Sequence, residues 1–169
     1  MPFPRGRRAR AILGRAAFLL GYLIRHKWCM LLEGRRFGVP WRVRLAHDAD
    51  KFWPHYLWLW IVRDEIERCD ALHKRRTPHS WEWWADPREP SGYRPMSDPA
   101  RRELLADWLA AQRMRGGRDY ARRVVAFYRE RRDAFGFHPS TRAWIEAHLE
   151  TLEDGAGTPG AEVPQAGSA

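Results

Sequence analysis

LAHDADKFWPHY, residues 45–56, sets two histidines, two aspartates and a lysine directly ahead of heavy aromatics. A solvated loop accounts for the polar residues. It does not account for the other histidines that recur at matching places in the chain. The pattern on either side is helical, and that decides the fold class.

Upstream, Ile12, Ala16, Leu19, Leu23 and Met30 recur at helical spacing and predict one face of a helix over residues 9–36. The missing position of that stripe is 26, and it is a histidine. Gly38 and Pro40 break the chain, and a short helix over 41–46 leads into His47 and Asp48. Downstream of Pro54 a second long helix is expected, with Trp58, Val62, Ile66 and Cys69 inward and His73 one turn further on the same face. TPHSWEWW reads as a helical turn or two from Pro78, and the Pro- and Gly-rich residues 86–97 as a loop. Asp98 is the expected N-cap of a helix with Pro99 at its first position, carrying Leu104, Asp107, Trp108 and Ala111. Gly116 and Gly117 end it. A helix over 118–135 follows, with Tyr120, Val124, Phe127 and Tyr128 inward. HPSTRAWIEAHLETL opens the last helix, with His138 cap-like, Pro139 at the first position, and Ile145 and Leu149 buried. No alternating strand pattern survives. The expectation is an all-α, single-domain helical bundle of about six helices over residues 9–153, after a basic segment 1–8 and before a disordered tail 154–169 that lacks an apolar face.

The net charge is +9, with 27 Arg against 3 Lys. Such a bias arises from a high-GC genome as readily as from function, so nucleic acid is a candidate partner that the charge does not require. Cys29 and Cys69 lie far apart in helical contexts, as in a reduced, cytoplasmic protein. RGRRARAILGRAAFLLGYLI begins like a signal peptide. Arg15 interrupts its apolar run, however, and Arg25, His26 and Lys27 close it without a small-residue cleavage site. The uninterrupted part falls short of the ~20 residues that a transmembrane segment needs. Nothing in the sequence fixes the oligomeric state.

His26, His73 and Asp107 fall on apolar stripes. Each alone reads as a hydrogen-bonded core residue. Together with His47–Asp48 and the later histidines, spread over separate helices, they form the donor set of a metal site inside a helical bundle. Imidazole and carboxylate suit one or two divalent transition ions, Mn, Fe, Ni, Co or Zn, and an aspartate can bridge two. His55 and His148 are expected on helix surfaces. Trp81, Trp83 and Trp84 are expected in the core or a pocket wall.

The ordered pattern H…HD…H…H…D resembles the HD-domain superfamily of metal-dependent phosphohydrolases, and HDADK looks like its HD-x-x-K variant with two-metal sites. More closely, the chain resembles a small uncharacterised helical family marked by RHK, HDxSKF, PHHWEYW, ADW and HPxTR segments. The counterparts are RHKW at 25–28, HDADKF at 47–52, PHSWEWW at 78–84, ADW at 106–108 and HPSTRAW at 138–144. The resemblance implies metal ligands at His26, His47, Asp48, His73, His79 and Asp107. Ser80 stands where that family pairs two histidines, which favours a single ion on His26, His47, Asp48 and Asp107. Lys51 would hold a phosphate or a developing anion. Glu82, one turn after His79, would serve as general acid or base, or orient His79. The expected activity is metal-dependent hydrolysis of a phosphoester, on a nucleotide or related small phosphate. The alternatives are a basic module with a degenerate site, binding nucleic acid or an acidic protein, and a di-iron oxygenase of the HD-x-x-K type.

Overall fold

The structure is a computed structural model that describes residues 5–154, with side chains from residue 9. The expected tail from Gly155 and the first four residues of the basic segment lie outside the described residues.

Helix α1, Arg5–Arg36, starts earlier than its apolar spacing predicts and runs unbroken until Gly38 adopts φ 67. Leu19, Leu23, His26 and Met30 are buried along its inner face, as expected. Pro40 then precedes the short α2, Trp41–Ala46. A 3₁₀ turn, Ala49–Phe52, follows, and Pro54 opens α3, Pro54–Leu57.

Here the long helix expected after Pro54 is corrected. The backbone widens into a π-helical stretch, Trp58–Arg63, and breaks at Asp64 in the left-handed region, φ 60. Helix α4, Ile66–Lys74, begins afresh. The wider turn shifts the inward face, because a π stretch takes more residues per turn than the 3.6 spacing assumes. Tyr56 and Leu59 are buried, while Trp58, Val62 and Ile66 are exposed. Cys69 and His73 remain inward.

A 3₁₀ turn, Trp81–Trp84, leads into the loop, which is closed by one bridge between Ala85 and Tyr93. Helix α5, Asp98–Met114, has Ser97 at its N-cap position without a side-chain cap bond; Asp98 is already its first helical residue and binds Arg101 and Arg102. Gly116 and Gly117, both at positive φ, turn the chain into α6, Tyr120–Arg131, shorter than expected and followed by a 3₁₀ turn, Arg132–Ala134. Helix α7, Pro139–Glu153, starts as foreseen, with the His138 side chain accepting the Ser140 N–H. The described residues thus form seven α-helices and no strand.

Helix α5 is the central element. It packs along α1 on one side and against α6 and α7 on the other. The main core joins Leu104, Leu105 and Leu109 to Val124, Tyr128, Ile145 and Leu149, with Trp81 and Trp84 against it and Trp83 exposed. On the α1 side Ala106 and Ala110 meet Met30 and Val39, and these small side chains let the two helices approach. A separate cluster of Tyr56, Leu59 and Cys69 underlies α3 and α4. His148, expected at the surface, is buried. Its Nδ1 donates to the Trp144 carbonyl at 2.7 Å and its ring stacks on Trp144.

Candidate metal centre

Between the α1–α5 contact and the α3–α4 cluster, the chain gathers every histidine and aspartate that the spacing and the resemblance single out as ligands. The α2 C-terminus carries His47 to the pocket, and Asp48 follows in the left-handed region at φ 59. For an L-residue that conformation is unfavourable by about 1–2 kcal/mol, less for Asp than for most. Here it accompanies two consecutive side chains that reach one pocket. Lys27 secures the corner by donating its ammonium to the carbonyls of Leu45 and His47.

His26 Nε2 lies 3.2 Å from His47 Nε2 and 2.9 Å from Asp107 Oδ1, and His47 Nε2 lies 3.3 Å from that same oxygen. Asp48 stands between two groups. Its Oδ2 is 3.6 Å from His26 Nε2, and its Oδ1 is 3.6 Å from His47 Nε2 and 3.2 Å from His73 Nε2. The rings of His47 and His79 are 4.5 Å apart and those of His73 and His79 5.2 Å. His26, His47 and Asp107 form one potential ligand set, and Asp48, His73 and His79 another. Asp107 keeps 26% of its side chain exposed, so the pocket opens beside it.

Two carboxylates that sequence reasoning missed complete the geometry. Glu103 Oε1 lies 2.9 Å from His47 Nδ1 and 3.3 Å from His79 Nδ1. Asp50 Oδ2 lies 2.9 Å from His73 Nδ1. A carboxylate that accepts from Nδ1–H leaves the Nε2 lone pair facing the pocket, which is how metal-ligating imidazoles are oriented. Glu103 could have been found from its place one turn before Asp107 on α5, and Asp50 from its place two residues after Asp48.

Four carboxylates, Asp48, Asp50, Glu103 and Asp107, face the Lys51 ammonium, whose Nζ is 2.9 Å from Asp48 Oδ2, with the Lys27 ammonium behind them on the His47 carbonyl. Metal binding would require neutral imidazoles, and with them the pocket is anionic; buried charge of one sign requires a counter-charge. The titration behaviour follows. Burial disfavours a charged His47, yet Asp48, Asp107 and Glu103 outweigh it and push its pKa up to about 10. Burial likewise opposes the Lys51 charge, and Asp48 and Asp107 reverse that and raise its pKa. Asp48 and Asp107 are pulled well below the usual carboxylate range, against their burial, by the surrounding imidazoles and, for Asp48, by Lys51. Buried His26 Nδ1 has no hydrogen-bond partner, and buried Asp48 Oδ1 is approached by His73 Nε2 at 3.2 Å. These donors, oriented and in negative excess, fit a divalent cation.

The remaining expected residues are placed as follows. Ser80 pairs its hydroxyl with Thr77 at 3.2 Å. Glu82 is half-buried in the 3₁₀ turn, where burial raises its pKa, and the carboxylate on His79 is Glu103. His55 is exposed, as expected.

Fold and site together define an all-α domain with a buried histidine–carboxylate cluster drawn from separate helices. The chain belongs to the DUF5662 family, a family of unknown function, whose model matches residues 56–151, more than half of the chain. The matched span includes His73, His79, Glu103 and Asp107 and leaves out His26, His47 and Asp48. No curated protein and no solved structure matches the chain.

Proposed function

We propose that the pocket binds one or two divalent transition ions and hydrolyses a phosphoester of a small substrate, in the manner of the HD-type enzymes that the sequence resembles. One observation carries the reading: His26 Nε2, His47 Nε2 and Asp107 Oδ1 converge within 3.3 Å of one another, with His47 held from behind by Glu103. Two inward-facing imidazole nitrogens and a carboxylate at that separation support a shared cation.

Bound ions would supply Lewis acidity for activating a water and polarising a phosphoryl oxygen. Asp48, flanked by histidines on both sides, would help hold the ions. Glu103 and Asp50 fix the imidazole tautomers. Lys51 neutralises charge developing on the phosphoryl oxygens. Glu82, kept protonated to higher pH by burial, donates a proton to the leaving oxygen. The two free thiols fit a reduced cytoplasmic setting.

The test is metal uptake followed by turnover. Protein purified without chelator is exposed to Mn, Fe, Co, Ni and Zn separately and assayed on nucleotides and simple phosphoesters. Wild type is expected to take up metal and turn over substrate, and His47→Ala and Asp48→Ala to lose both. Lys51→Met should keep its metal, because an ammonium offers no lone pair, and lose roughly 10²-fold in turnover. A wild type that binds none of the five metals sinks the reading. Salt-dependent DNA binding without metal would replace it with the basic binding module, and an optical signature of iron without phosphoesterase activity with the oxygenase.

A further inference from the structure

We infer that the outer face of α1 docks on an anionic lipid bilayer, with the helix lying in the plane of the surface. The charge distribution is the first observation. Residues 1–46 contain eleven Arg or Lys and one acid, Glu33, so the chain's net charge of +9 resides there and the remainder is close to neutral. Glu33 is itself buried against Arg113 and Tyr120 and offers nothing to a partner.

The second observation is the inversion of the helix surface. Between Ala9 and Trp28 every exposed residue of α1 is apolar or glycine except Arg10 and Arg25. Leu13, Leu20, Ile24 and Trp28, spaced seven, four and four apart, share one face and are 69%, 54%, 60% and 64% exposed. A Cβ added at Gly14 or Gly21 meets nothing within 4 Å, so no other element of the described residues overlies that face. The apolar surface continues onto α2, beside α1, where Trp41 and Leu45 are exposed.

The occupant follows from charge and chemistry. A second copy would bring two strongly cationic segments face to face. The chain's own C-terminal stretch, 155–169, has Val163 as its one large apolar side chain and cannot cover the stripe. A nucleic-acid backbone would use the arginines but has no place for Leu20, Ile24 and Trp28. A bilayer with anionic headgroups uses both: the apolar stripe sinks about 5–10 Å to the headgroup boundary while the arginines meet phosphates, and tryptophans favour that depth. No helix of the described residues is long and apolar enough to cross a membrane, which agrees with a helix that rests on one.

Co-sedimentation of the full chain with vesicles tests this. Phosphatidylcholine vesicles are compared with vesicles that also contain phosphatidylglycerol, at low and high salt, for wild type and for Leu20→Glu/Ile24→Glu. The wild type is expected to pellet with the anionic vesicles and to release at high salt. The double variant should bind at least about tenfold more weakly, from the lost apolar insertion. Its circular dichroism and thermal midpoint should match wild type, because both positions are exposed. Equal pelleting of the variant and wild type, or equal binding to neutral vesicles, overturns the inference. So does a wild-type dimer in sedimentation velocity that the double variant dissociates, which would assign the face to a second copy. Binding of DNA without binding of vesicles also overturns it.

Discussion

Glu103 shows how much of a site can rest on a residue that touches none of the proposed ions. Its carboxylate faces Nδ1 of both His47 and His79 and fixes which nitrogen of each ring faces the pocket. Removal would free two rings at once. Glu103→Ala is therefore expected to weaken metal affinity by about 10–100-fold, the usual range for outer-shell partners. Glu103→Gln should fall between, since its amide oxygen still accepts one N–H. Competition with a chromophoric chelator measures both, and an alanine variant that binds metal like wild type would reduce Glu103 to packing. His148 gives a contrasting case: a surface position was expected, yet its ring is stacked on Trp144 and closed in by the core. Helical spacing alone does not separate the edge of a buried face from its centre.

At the scale of elements, the break between the π stretch and α4 is the feature whose energetics can be tested apart from the site. Asp64 adopts φ 60, and its ion pair to Arg15, at 3.2 Å, is partly exposed. Such a pair contributes about 0–1 kcal/mol, whereas glycine takes the left-handed region without steric strain. Asp64→Gly should leave stability unchanged or raise it by up to about 1 kcal/mol, while Asp64→Ala should lower it, both read from urea midpoints at unchanged slope. The same comparison shows what was legible in the sequence. Helices α1, α5 and α7 could be read because their apolar positions keep the 3.6 period, and α2 because Gly38 and Pro40 mark the break before it. The segment after Pro54 was misread because a π stretch changes the period without any residue announcing it. Of the site, the proposed ligands were legible as polar residues on apolar stripes or as motif positions. Glu103 and Asp50 leave only a weak signal, their closeness in sequence to Asp107 and Asp48, and the clamp from Lys27 to the His47 carbonyl leaves none, because an acid or a lysine on a helix ordinarily marks the solvent side.

At the scale of the whole molecule, the pocket draws on residues from 26 to 107; His47 and Glu103 alone are 56 positions apart. No short segment contains the donor set, and the family match from residue 56 onward holds only part of it. This has a kinetic consequence. Closing such distant contacts comes late, after the loops between them have been ordered, so a cation would find few of its partners assembled at the folding barrier. Interactions absent from that barrier act on the rate of unfolding and leave the rate of folding nearly untouched. In stopped-flow experiments, saturating metal should flatten and lower the unfolding limb while the refolding limb stays superimposable on that of the metal-free protein. A refolding rate that climbs with metal concentration would mean that the histidines gather early and template the bundle. A metal bound to a site that forms late would act as a latch on the finished fold, setting how long a molecule stays folded rather than how quickly it gets there.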